Sequence, residues 1–136
     1  MKTEFDAVII GGGPAGSSAA IMLARGGWSV ALIEKKNFPR RKVCGECIAA
    51  SNLPLLQALG IGALFEAAAG PELRQVALMH GAREVLADLP AATHEKYPWG
   101  RALGRETLDM LLIDQARLSG VHVMQPWFAL RMTGSA

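Results

Sequence analysis

An α/β fold built on a parallel sheet is the expectation, and residues 6 to 34 carry the three features behind it. The apolar run Ala7-Val8-Ile9-Ile10, bounded by glycines, reads as a buried parallel strand. Gly11-Gly12-Gly13-Pro14-Ala15-Gly16 follows as a G-x-G-x-x-G turn that opens a helical stretch. A second apolar run, Val30 to Ile33, ends on the acid Glu34. Strand, glycine turn, helix and strand in this order form a βαβ unit over residues 4–34.

Each glycine has its own task. Gly11 permits the tight strand-to-helix turn, Gly13 lets backbone approach a pyrophosphate, and Gly16 lets the helix pack closely on the strands. Pro14 and Ala15 start the helix, whose free N–H groups and positive dipole end face the same point. Glu34 lies eighteen residues after Gly16, near the spacing expected of a carboxylate that binds ribose hydroxyls. The context therefore indicates a dinucleotide-binding unit. On its helix, Ala15, Ala19, Met22, Leu23 and Gly26 are read as one face.

Beyond Glu34 comes the basic run Lys35-Lys36-Asn37-Phe38-Pro39-Arg40-Arg41-Lys42, read as an irregular, solvated loop. A short helix follows, capped by Ser51 or Asn52, with Pro54 in its first turn and Gly60 at its end. A second runs from Ala63 to Ala69. Residues 75–79 and 84–87 alternate like two antiparallel strands, within an insertion of about residues 62–100. Residues 91–104 are expected to be loop. Leu108, Leu111, Leu112 and Ala116 then mark a helix closed by Gly120, with Asp109 and Asp114 on its solvated side. Val121-His122-Val123 is a third parallel strand, giving a helix and strand over 105–124. Residues 125–136 suggest one last strand.

Composition sets bounds. A chain of 136 residues, 51% hydrophobic and 19% charged, fits about one domain with a modest core. A net charge of +2 without a basic stripe argues against nucleic acid as a partner. Met1-Lys2-Thr3-Glu4 runs directly into the first strand, so no signal peptide is expected, and no apolar run is long enough to span a bilayer. Two cysteines without a secretory segment point to the cytoplasm.

Three blocks together resemble the N-terminal part of the FAD-dependent monooxygenase superfamily, which includes aromatic hydroxylases, flavin-dependent halogenases and geranylgeranyl reductases. They are the glycine turn with Glu34, Phe38-Pro39-Arg40-Arg41-Lys42-Val43-Cys44-Gly45-Glu46, and Gly104-Arg105-Glu106-Thr107-Leu108-Asp109. The second is similar to the "FPR-x-K-x-CGE" block of the halogenase and geranylgeranyl reductase branch, and the third to an "R-x-x-L-D-x-x-L" helix. The resemblance implies a Rossmann-like FAD-binding sheet with a small antiparallel insertion, incomplete at its C-terminal side. The chain would be the N-terminal portion of an FAD-binding domain, lacking the substrate domain. It further implies that Glu34 holds the adenosine ribose and that Lys42, Cys44 and Gly45 run along the cofactor. Arg105 would reach its phosphate and ribityl region, and Ala129 would face the adenine. Arg105 also starts its helix, where a cation is disfavoured by about 0.3–1 kcal/mol, and a nearby anion would account for it.

For an intact relative, the implied activity is that of an oxidoreductase fed by NAD(P)H or a partner reductase, acting on a small-molecule substrate. Oxygen activation and alkene reduction both remain open, and no catalytic residue or halogenase lysine can be assigned. Cys44 fits the family block, and Cys47 is expected to be small and buried; a redox dithiol is the rival reading, while His80, His94 and His122 lack the spacing to complete a zinc site. His94, Tyr97 and Trp99 fall in a polar loop with no chemical role. A chain ending before the family's glycine-aspartate block would leave the first strand with an open edge, bind FAD weakly and aggregate. Two rivals stand beside this reading. One is a non-catalytic NAD(P)-binding module, in which Lys35 and Lys36 meet a 2′-phosphate that Glu34 would repel. The other is a degenerate remnant without a ligand.

Overall fold

The computed structural model describes residues 4–44 and 46–134. In chain order the elements are β1 (Ala7–Ile10), α1 (Pro14–Arg25), β2 (Val30–Ile33), β3 (Cys47–Ile48), α2 (Leu53–Leu59), α3 (Gly62–Ala68), β4 (Gln75–His80), β5 (Arg83–Asp88), β6 (Arg101–Ala102), α4 (Arg105–Leu118) and β7 (His122–Met124). Two compact units result, one formed by the chain up to Lys42 and from Arg105 onward, the other by residues 43–104.

The first unit is a parallel sheet in the order β1-β2-β7, with Ala7 opposite Val30 and Ala31 opposite His122. β2 is central, which explains its unbroken apolar sequence: Val30, Ala31 and Leu32 are all buried. β1 is an edge among the described residues, and Val8 and Ile10 are 56% and 66% exposed. α1 and α4 pack against each other and enclose the core of Ala20, Ile21, Leu108, Leu112, Ile113 and Ala116.

Two helix faces depart from expectation. On α1 the buried residues are Ser17, Ala20 and Ile21, whereas Ala15, Ala19, Met22 and Gly26 are exposed. This alanine-rich helix is apolar nearly all round, so spacing alone leaves its rotation free. The glycine turn sets that rotation, and the Ser17 hydroxyl is accommodated by donating to the Gly12 carbonyl at 3.1 Å. On α4, Asp109 is 1% exposed rather than solvated, while Asp114 does face solvent. Residues 125–134 form no strand.

In the second unit, β3 pairs with β6 and β4 with β5, both antiparallel. The hairpin registers Gln75 with Asp88 and His80 with Arg83, and all its residues are exposed. Leu53, Leu56, Leu59, Ile61 and Phe65 form a small core with Tyr97 and Leu103. Neither Ser51 nor Asn52 caps α2 with its side chain; a 3₁₀ turn over Ala50–Asn52 leads into the helix instead. Gly60 ends α2 at φ +91°, the left-handed geometry expected there. The segment 91–104 contains β6, and Cys47 is exposed rather than buried.

Tyr97 is buried rather than idle, and its hydroxyl donates to Glu66 at 3.0 Å. That bond first, and then the charge of Lys96 at 3.5 Å, holds the Glu66 carboxyl below its ordinary value of 4.5. A carboxylate depressed in the folded state stabilises above its unfolded pKa and loses that contribution as pH falls through the folded one. Melting curves should therefore separate the chain from a Glu66→Gln variant at pH 7, and the two should converge as the pH falls through the lowered value of the carboxyl. No helix among the described residues is long and apolar enough to cross a membrane.

Candidate functional site

The first unit carries a cavity of about 850 Å³ at the C-terminal ends of β1 and β2. This is where open parallel sheets bind ligands, and the size lies within the range of about 300–1,000 Å³ usual for cofactor sites. Gly11, Gly13, Pro14, Ala15 and Gly16 line one side. Gly11 makes the turn at φ +107°, with its N–H donating to Ile33 at 2.8 Å. A Cβ on Gly16 would lie 1.9 Å from the Gly11 carbonyl oxygen, so the helix approaches the turn as closely as glycine allows. Pro14 at the first helical position has no N–H, and the N–H groups of Ala15 and Gly16 have no acceptor within the helix.

Glu34, Lys35, Lys42, Arg105 and Ala129 line the same cavity. Ten of the twelve residues expected at the cofactor thus meet in one place. Cys44 belongs to the second unit, where it is an exposed free thiol, and Gly45 lies outside the described residues. Four charged or aromatic lining residues were not anticipated at the FAD site: Lys36, Arg40, Trp127 and Phe128. Lys36 and Arg40 sit within a run that reads as solvated, although Arg40 also stands over the Phe38 ring at 4.9 Å, a cation–π contact. The two aromatics are detectable in sequence only as a pair beside Ala129.

Glu34 is 4% exposed. One of its carboxylate oxygens accepts the Gly12 N–H and the other the Lys36 N–H, each at 2.8 Å. The Trp127 N–H donates to the Glu34 backbone carbonyl at 2.9 Å, which ties the aromatic segment to the end of β2. The anion beside Arg105 at this helix start is the Asp109 side chain of its own helix, whereas the position alone points to a cofactor phosphate. Arg105 forks onto Asp109, with Nε to Oδ1 at 2.7 Å and Nη2 to Oδ2 at 3.0 Å. Arg40 Nη2 stands 3.6 Å from Asp109 and 3.8 Å from Glu34.

The residues present fit a dinucleotide. Five cations, Lys35, Lys36, Arg40, Lys42 and Arg105, face the cavity against the single carboxylate of Glu34. Helix-start amides and cations are the donor set that a pyrophosphate requires. Arg40 Nε is moreover buried without a hydrogen-bond partner, a feature suited to a site whose anion arrives with a ligand. Among the described residues, no group of three His, Cys, Asp or Glu side chains could hold a metal ion.

Comparison with known proteins agrees with this geometry. A family model described as FAD binding domain matches residues 4–127. A tryptophan 2-halogenase from Chondromyces crocatus is 35% identical over 118 residues, which cover 87% of this chain and 22% of the halogenase. A menaquinone reductase from Mycobacterium tuberculosis is 34% identical over 121 residues, covering 88% of this chain and 28% of the reductase. The solved structure of the myxobacterial chondrochloren halogenase, described as a variant of FAD-dependent halogenases, matches with a TM-score of 0.76 at 26% identity. The match covers 90% of this chain and 28% of that one. The chain thus spans 22% to 28% of the length of these relatives. With the glycine turn, the acid and the cationic cleft in one unit, and the family match running over most of the sequence, the chain belongs to the FAD-binding domain family of flavin-dependent halogenases, monooxygenases and reductases, and FAD is its cofactor.

Proposed function

We propose that the cavity holds FAD with its pyrophosphate at the glycine turn and its adenosine half toward Glu34 and the 127–129 segment. The observation that carries this reading is the cavity lining itself: glycine turn, buried acid and five cations on one unit. The Ala15 and Gly16 amides would donate to phosphate oxygens, with no Cβ at Gly13 to block the approach. Arg105 and Lys42 would balance the phosphate charge. Glu34 would accept from ribose hydroxyls, and Ala129 would lie against the adenine beside Trp127 and Phe128. Lys35 and Lys36 line the same cavity as Glu34, and the negative charge of Glu34 favours a ribose without a 2′-phosphate.

Bound FAD would supply two-electron redox chemistry to an oxidoreductase that takes electrons from NAD(P)H and acts on a small molecule. Relatives named as halogenases and as a menaquinone reductase support that class. Nucleic acid is not part of the proposal. A reducing, cytoplasmic setting is included, and the low cysteine content of the sequence supports it.

Fluorescence titration tests the proposal. Trp127 is 52% exposed at the cavity and is one of three tryptophans. FAD and ADP should both quench part of the emission, FMN should not, and Trp127→Phe should remove that component. Tight NADPH binding without flavin binding, or no FAD binding at millimolar concentration, would overturn the reading.

A further inference from the structure

Asp109 is a charged side chain buried among Leu108, Leu112 and Ile113 on a helix whose other acids face solvent. Ion pairs of this kind are weak grounds for stability, because apolar residues of similar size often serve a core equally well. A leucine at 109 could not do what the carboxylate does. It accepts the two-pronged Arg105 fork at 2.7 and 3.0 Å and stands 3.6 Å from Arg40 Nη2. One buried anion thereby serves guanidinium groups from two distant stretches of chain. Both guanidinium groups line the cavity, and Asp109 does not.

We propose that Asp109 is a positioning residue for the FAD cleft: it fixes Arg105 and Arg40 in place at the phosphate end while touching no ligand itself. The proposal rests on the reading that this cleft binds the FAD pyrophosphate. It explains why an acid occupies a core position one turn after Arg105, since that spacing puts both side chains on one helix face.

The test is FAD and ADP affinity of the chain, with melting curves run in parallel. Asp109→Asn keeps the side-chain volume and removes the charge. It should weaken FAD binding at least about tenfold, the size expected for lost charge-assisted hydrogen bonds, while cooperative melting persists. Asp109→Glu should recover part of the loss. On an Arg105→Gln, Arg40→Gln background, Asp109→Asn should add less than about twofold, because its effect runs through those arginines. Asp109→Asn binding FAD within about twofold of the native chain, or losses that multiply with the arginine changes, would overturn the positioning role. Were Asp109→Asn not to fold, Arg40→Gln and Arg105→Gln alone decide: unchanged affinity in both overturns it, and a loss of about tenfold or more, roughly the scale of one hydrogen bond to a charged group, supports it. A native chain that does not bind FAD would sink the cleft reading itself, a result distinct from native binding with an unaffected Asp109→Asn.

Discussion

Replacing Gly16 with alanine is expected to destabilise the first unit by about 3 kcal/mol or more and to abolish FAD binding. The new Cβ would lie 1.9 Å from the Gly11 carbonyl oxygen, 3.1 Å from its carbon and 3.3 Å from Ile9 Cγ2. Neither partner can retreat at low cost. Gly11 is held by its N–H bond to Ile33 and sits at φ +107°, and Ile9 is fixed in the sheet. The start of α1 must therefore move off β1, carrying the Ala15 and Gly16 amides away from the phosphate position. Gly13→Ala is the control. Its backbone, at φ −77°, accepts any residue, and its Cβ meets only the end of the Arg105 side chain at 3.4 Å. That variant should melt like the native chain while binding FAD more weakly, because the methyl group occupies the approach to the pyrophosphate. Thermal melting and FAD titration of both variants check the contrast. A Gly16→Ala chain melting within about 0.5 kcal/mol of native would contradict the close approach of turn and helix.

These two glycines illustrate what residue order alone makes legible. A motif whose spacing is dictated by local backbone geometry can be read directly, so β1, the turn, β2 and Glu34 stand where the sequence placed them. The β4–β5 hairpin is legible for the same reason, since its alternation and its Gly81 turn are local. Features that depend on a distant partner are not. Asp109 neighbours Leu112 and Ile113 on the helical wheel, and the buried stripe Leu108, Asp109, Leu112, Ile113 and Ala116 differs from the expected one by a modest rotation. Two cations make the rotated face acceptable for an acid: Arg105, one turn earlier on the same helix, and Arg40, from the segment after β2, and only the second is invisible to a reading of the helix alone. The same encounter turns Arg40 from one charge in a solvated run into a half-buried one. Trp127 joins the site because its backbone N–H reaches the Glu34 carbonyl, a bond that hydropathy cannot reveal.

Glu34→Gln is expected to lower stability by about 2–4 kcal/mol and FAD affinity by roughly 10- to 100-fold. Both oxygens already accept a backbone N–H, from Gly12 and from Lys36. An amide keeps one oxygen, so its NH₂ must face one of those donors and leave it unsatisfied in a site only 4% exposed. Arg40, 3.8 Å away, loses one of its two counter-charges at the same time. The loss of affinity has a separate origin. A carboxylate offers about four lone-pair sites, and two remain after the backbone bonds, one on each oxygen. That is the capacity needed for the two hydroxyls of a ribose. Comparing ADP with 2′,3′-dideoxy-ADP isolates this contribution: the native chain should prefer ADP by about tenfold, and Glu34→Gln should bind the two alike. Equal binding of both nucleotides by the native chain would show that Glu34 serves only to tie the turn to the end of β2, and the fall in stability would then be the whole effect of the substitution.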